Sequence, residues 1–375
     1  MKKIPLFEPN ISNLEKKYVL KSLEKNQIST YGYFKNSFEK EAKKVTSSKF
    51  NLSINSGSSA LFLALKSLDV GQNEIVLTQS YTFAATTNAI LLNNSIPLLF
   101  DICLNDLNID TNQLENFLKK NTFRIKRNTF HKKTKKKISC ICLVFTLGII
   151  PDLKKIKNIS SKYNLKIIFD AACSFGQKYN NEKLSKYCDV SIYSFNGNKS
   201  FTTGGGGLFS TDKKKIYFKA LSLANNGKIG TYQYKIVGYN LRMPSLNAAI
   251  GLAQMKRFKE IMNKKKIINQ NYTKYLKKYK LFDCNFPWGS YLPWMNFFIV
   301  KNEVKLRQLI KTLSKKNILT DYFWTPMHKQ PIKKSFYLTK FPNTDYIYKK
   351  ILLLPSSTNI NFKDIKKISG IINNL

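Results

Sequence analysis

Apolar residues follow two alternating rhythms along this chain, short unbroken runs and runs at helical spacing. Residues 50–54, 74–78, 97–101, 137–144, 166–170, 190–195 and 208–211 are short runs rich in Ile, Leu, Val and Phe. Each predicts a buried strand. Between them, residues 60–68 place Leu61, Leu65 and Leu68 on one helical face, and 84–92, 153–163 and 214–223 also read as helices. Two helices precede the first strand: 38–45, and 13–25, where Leu14 and Tyr18, then Val19 and Leu23, stand four apart. A long helix is predicted from Ser245 past Ile261, with Ile250, Gln254, Phe258 and Ile261 along one side.

Strand and helix in alternation predict an α/β fold with an open, mostly parallel central sheet flanked by helices. The rhythm changes near residue 250, and 276–375 mixes short strands with helices, which predicts a smaller C-terminal α+β domain. The expected division is 1–250 for an N-terminal segment and large α/β domain, and 251–375 for the small one. A length of 375 residues suits roughly two domains.

Charge changes the picture less than its size suggests. Sixty-three Lys and Arg against 22 Asp and Glu give a net charge of +41. The lysines are spread along the whole chain beside abundant Asn and Ile, so compositional drift explains them better than nucleic-acid binding. Only 124–137 (RIKRNTFHKKTKKK) is a dense basic cluster. It reads as a solvated hairpin or loop, or as a lip that draws in a phosphate-bearing substrate. The opening MKKIPLF lacks the apolar core of a signal peptide, and no run approaches a membrane span, so no membrane contact is expected. Six cysteines show no paired framework; Cys140 and Cys142 share one face of a strand, as core packing. With two histidines in the chain no metal site is expected, and a cytoplasmic location fits reduced thiols.

The candidate chemistry sits at strand ends. Residues 194–207 (SFNGNKSFTTGGGG) place Lys199 in a Ser/Asn/Gly loop, where glycines let the backbone approach a ligand. A lysine so held can act as a nucleophile toward a carbonyl compound. Asp170 closes the apolar strand KIIFD, and a buried carboxylate calls for a positive partner. A strand-end Asp with a loop Lys is what pyridoxal phosphate needs: a partner for its ring nitrogen and an amine for its aldehyde. Gly57, Ser58 and Ser59 stand between a strand and a helix start, where backbone N–H groups bind anions, and Ser194 could add a hydroxyl. Phe83 follows a strand and either stacks on a planar ligand or fills the core.

These segments together resemble the DegT/StrS sugar aminotransferases, pyridoxal-phosphate enzymes of fold type I. The matching pieces are SINSGSSAL, QSYTFAATTNAI, FDAACSFG, YSFNGNKSFTTGGGG and VGYNLRMPSLNAAIGLAQ, in family order over almost the whole chain. The opening IPLFEPNISNLEKKYVLKSL and the later FWTPMHKQP and LLLPSS are most similar to the branch that makes 4-amino-4,6-dideoxy sugar nucleotides for bacillosamine- or legionaminic-acid-type glycans.

The resemblance implies that Lys199 bonds the cofactor and shuttles a proton, and that Asp170 pairs with the ring nitrogen. It further implies that Phe83 stacks on the ring, that Gly57, Ser58, Ser59 and Ser194 hold the phosphate, and that Asn240 reaches the phosphate of a second subunit, so the enzyme is a homodimer with shared sites. Trp324, Thr325 and His328 would line the sugar pocket. The implied reaction moves an amino group, with glutamate as the expected donor, to the C4 keto group of a UDP- or GDP-linked 4-keto-6-deoxy sugar. The alternatives are a 3-keto sugar aminotransferase and a non-catalytic polyanion-binding or regulatory relative.

Two departures stand out. Cys173 occupies a position where the family commonly has Gln, Glu or His, and Phe145 and Ile149 replace two family histidines. Arg242 is a candidate for the donor carboxylate.

Overall fold

A computed structural model describes residues 3–375. The chain opens with α1 (Asn13–Glu24) and α2 (Tyr33–Thr46). Ser12 caps α1 by accepting from the Leu14 N–H at 3.1 Å, while Glu15 accepts from the Ser12 N–H at 2.6 Å, which pairs N–H groups left over at a helix start.

Strand and helix then alternate as β1 (Phe50–Ile54), α3 (Gly57–Ser67), β2 (Ile75–Gln79), α4 (Ala84–Leu92) and β3 (Ile96–Phe100). Next come α5 (Thr111–Asn121) and a hairpin of β4 (Thr122–Ile125) and β5 (Asn128–His131). The series ends with β6 (Lys137–Val144), α6 (Leu153–Tyr163), β7 (Lys166–Asp170), β8 (Val190–Ser194), β9 (Gly207–Thr211) and α7 (Lys214–Ala224).

The central strands lie in the order β1-β9-β8-β7-β6-β2-β3. Pairing is parallel from β8 through β3, and β9 runs against both its neighbours. Every strand of this set but β9 therefore ends on one edge of the sheet. Side chains alternate between two cores: Ile141, Leu143, Ile167 and Phe169 pack on one face, Cys140, Cys142, Ile168 and Ile192 on the other. Cys140 and Cys142 share a face, and both are free thiols.

The predicted long helix is two helices, α8 (Ser245–Lys256) and α9 (Phe258–Tyr275). They meet at Arg257, whose guanidinium is fastened to Glu15 at 2.9 Å and to Asn10 at 2.9 Å. The apolar spacing runs on across the break, with Ile261 fully buried, so periodicity could not reveal it. Helix α8 passes straight through residue 250.

Beyond α9, strands Phe297–Ile299, Ile351–Leu353 and Asp321–Tyr322 form a separate small sheet. Its core gathers Phe298, Leu309, Ile368 and also Ile4, whose N–H donates to Asn317 O at 2.9 Å. The start of the chain thus packs with its end. In the other direction, strand Tyr337–Leu338 adds to the edge of the large sheet beside β3. Among the described residues no helix is long and apolar enough to cross a membrane.

Candidate active site

The strand ends that carry the predicted residues converge on a cavity of about 290 Å³. Val144, Asp170 and Ser194 arrive from the ends of β6, β7 and β8, Ser56, Gly57 and Ser58 from the cap and first turn of α3, and Thr82 and Phe83 from the turn after β2. In open α/β sheets this edge is where ligands bind.

Asp170 is almost wholly buried there. Thr86 donates to its Oδ2 at 2.7 Å and the Ala172 N–H to its Oδ1 at 3.3 Å. Burial pushes its carboxyl above the usual range, against the opposing pull of these two donors and of Lys199. A cation placed against it would relieve that penalty.

Across the cavity α3 begins. Ser56 caps it, accepting from the Ser59 N–H at 3.0 Å and donating to Ser59 Oγ at 2.8 Å. The leading N–H groups have no partner inside the helix, which favours an anion at this end. Two glycines keep the turn open: a Cβ on Gly57 would stand 2.8 Å from Ser194 Cβ, and one on Gly207 would stand 2.5 Å from Ser56 O.

Lys199 projects from the loop after β8, half-buried, with Nζ 3.1 Å from Cys173 Sγ. The same Nζ lies 4.1 Å from the centre of the Trp294 ring. Burial raises the Cys173 thiol, with Lys199 opposing, so the sulfur keeps its proton at neutral pH. Phe83, 57% exposed, forms the outer wall and lies 5.7 Å from Trp324, ring centre to ring centre.

The cavity thus gathers Gly57, Ser58, Phe83, Asp170, Cys173, Ser194, Lys199 and Trp324. It does not gather all the residues read from the sequence. Ser59 sits one step behind Ser58, engaged with the cap. Asn240 lies exposed outside the cavity, paired by a bridge with Asn225. His328 is buried elsewhere, with Nδ1 2.6 Å from Ser80 Oγ, Nε2 3.0 Å from Asp345 Oδ1, and its ring stacked on Phe341. Arg242 donates to Glu39 at 2.6 Å. Phe145, by contrast, does line the cavity and packs on Phe169 with ring centres 5.0 Å apart, while Ile149 is fully buried away from it, so apolar side chains fill both positions of the absent histidines.

The basic cluster also falls elsewhere. It forms the β4–β5 hairpin and the lead-in to β6, and β6 then runs roughly 23 Å before Val144 reaches the cavity. Reading it as a lip of this pocket is incorrect for geometric reasons: it lies at the far end of the sheet. In the other direction, Thr86, Trp294 and Lys265 were not singled out in the sequence. No local signal marks them, because each acts through a partner distant in the chain.

The profile of the DegT/DnrJ/EryC1/StrS aminotransferases matches residues 9–373. The chain belongs to that family. It is accordingly a pyridoxal-phosphate-dependent aminotransferase. Among relatives, GDP-perosamine synthase of Escherichia coli O157:H7 is 27% identical, over 100% of this chain and 98% of its own. The UDP-4-amino-4,6-dideoxy-N-acetyl-beta-L-altrosamine transaminase of Campylobacter jejuni is 30% identical over 91% of this chain and 89% of its own. In fold, the Helicobacter pylori PseC aminotransferase superposes with a TM-score of 0.87 at 22% identity, covering 100% of this chain and 99% of that one.

The cavity of this aminotransferase suits its cofactor. A buried carboxylate wants a cation, a helix start kept open by two glycines wants an anion, and an amine lines the same cavity. Pyridoxal phosphate carries a ring nitrogen, a phosphate and an aldehyde to match.

Proposed function

We propose that this enzyme transfers an amino group from glutamate to the C4 keto group of a UDP- or GDP-linked 4-keto-6-deoxy sugar, for the synthesis of surface-glycan amino sugars. The observation that carries the reading is Asp170 and Lys199 in one cavity with the open start of α3. The sugar class rests on the relatives, which are named for perosamine and for a 4-amino-4,6-dideoxy altrosamine.

In this reading Asp170 faces the cofactor ring nitrogen and keeps it protonated, with Thr86 and Ala172 fixing the carboxylate. Gly57, Ser58 and Ser194 hold the phosphate, and Ser59 closes the helix cap with Ser56. Phe83 covers the ring, and Trp324 beside it lines the approach of the sugar. When bound, the cofactor supplies an electron sink that makes the donor's Cα–H acidic. Lys199 Nζ takes that proton, holds it and delivers it again, the work of one general acid–base group.

The working unit is proposed to be a homodimer in the cytoplasm. Asn240 follows a short hairpin (228–234) that leaves Tyr232 and, after it, Val237 largely exposed, the latter 88%. A second copy would cover this surface and receive Asn240 near its phosphate site.

The test is direct. Purified enzyme is given glutamate and, in turn, GDP- and UDP-linked 4-keto-6-deoxy sugars, and the product is followed by mass spectrometry and NMR. A 4-amino sugar with one of them supports the proposal; a 3-amino product, or none with any acceptor, refutes it.

A further inference from the structure

Trp294 is tied down at several points around Lys199. Its backbone N–H donates to Leu147 O at 2.7 Å, and its indole N–H donates to Asn198 O at 2.8 Å, in the residue just before Lys199. Its carbonyl accepts from the Nζ of Lys265, which also donates to Ser356 O at 3.2 Å. Lys265 is 2% exposed, in the middle of α9, and among the described residues it forms no ion pair. The result is a buried strut from α9 through Trp294 to the loop of Lys199. At its end the centre of the indole ring lies 4.1 Å from Lys199 Nζ, and the Cys173 sulfur lies 3.1 Å from the same atom.

We infer that Trp294, braced by Lys265, is a positioning residue that receives the ammonium of Lys199 whenever that lysine is not bonded to the cofactor. The inference rests on the proposed role of Lys199 as the proton carrier. Once Nζ has taken the proton it is a half-buried cation, and it needs a partner that does not remove the proton. A carboxylate would hold it too tightly and compete for the proton. An aromatic face attracts a cation without accepting a proton, and indole does so best among the aromatic rings. The neutral Cys173 thiol, also beside Nζ, adds no second charge. The indole N–H bond to Asn198 O fixes the ring against the lysine's loop, and the Lys265 amine holds the Trp294 backbone that carries the ring.

The experiment uses the protein freed of cofactor, so that it reads Lys199 itself. Protein is treated briefly with an amine-acylating reagent at about pH 7 and about pH 11, and labelling of Lys199 is measured by peptide mass spectrometry against exposed Lys311. Near pH 11 most lysines are neutral, so the ratio of the two rates reports how far the ring favours the ammonium at pH 7, free of changes in access. In Trp294→Leu the ratio should rise about fivefold, and in Trp294→Phe, which keeps a weaker ring, about twofold. Lys265→Met should raise it as well, by letting Trp294 move.

An unchanged ratio in Trp294→Leu would make the ring mere packing and overturn the inference. A lower ratio would do the same, since water entering the gap favours the ammonium. Should Trp294→Leu fail to fold, Trp294→Phe decides in the same way. The result is independent of the sugar assay: failure to aminate a keto sugar refutes the proposed function and leaves the labelling ratio readable.

Discussion

Thr86 donates its hydroxyl hydrogen to Oδ2 of Asp170 at 2.7 Å, from the first turn of α4 to the end of β7. Thr86 is joined in turn to Thr82, 2.8 Å away, so a short hydroxyl chain orients a carboxylate that burial would otherwise neutralise. This arrangement predicts that Asp170→Asn lowers kcat/KM by about 100-fold or more, the loss expected when a preorganised charge is removed from a dry site. Steady-state kinetics with excess cofactor checks it.

The same carboxyl predicts a pH effect on the cofactor-free protein. Its folded pKa is raised, so between the unfolded value near 3.9 and the raised one the folded state binds more protons. Stability from this group is present at low pH and is lost as pH rises through that window. Melting curves from acid to neutral pH should show a smaller loss with rising pH in Asp170→Asn than in the parent.

Lys265 behaves with the opposite sign. Burial pulls its amine down to about 7, so between there and the unfolded value near 10.4 the unfolded chain holds the extra proton. The parent therefore gains stability from this group as pH rises from 7 to 10. Lys265→Met removes the gain and leaves the carbonyls of Trp294 and Ser356 without this donor, at a cost of about 1–3 kcal/mol for each. Denaturation at several pH values should show its deficit against the parent widening upward.

His328 tests the boundary of the sugar pocket. Its ring bridges Ser80 and Asp345 and stacks on Phe341, outside the cavity. His328→Ala should cost about 2–3 kcal/mol of stability while leaving KM for the sugar nucleotide within about threefold. Burial lowers the His328 pKa despite Asp345, so its contribution fades as pH falls below about 6.5, and the cost of the substitution should shrink there. A large rise in KM with normal stability would place His328 at the substrate.

The basic hairpin gives a fourth contrast. Among the described residues Lys132, Lys133, Lys135 and Lys136 form no ion pair, and they lie at the far end of the sheet. Replacing all four by Gln should change kcat/KM by less than about threefold at physiological salt, where screening acts within about 8 Å. Assays across ionic strength check it.

Much of this was legible in the sequence because the large sheet announces itself locally. Runs such as KIIFD and VSIYS are buried on both faces, so their middles are mostly apolar, and the polar residues that close them mark the ligand edge. Asp170, Lys199 and the Ser-Gly turn were readable for that reason. What stayed hidden depends on distant pairs. The break at Arg257 comes from Glu15, the brace on Lys199 from Trp294, and the place of His328 from Ser80 and Asp345. The hairpin's distance from the cavity follows from the direction of β6, which the basic cluster itself does not disclose.

The most direct test of the whole account is the visible spectrum of the protein with pyridoxal phosphate, before and after glutamate. A band at roughly 420 nm should form, be absent in Lys199→Ala, and give way to one at roughly 330 nm when glutamate is added. Equal bands in the parent and Lys199→Ala, or a parent band that no amino donor converts, would contradict the assignment of Lys199 and the reaction built on it.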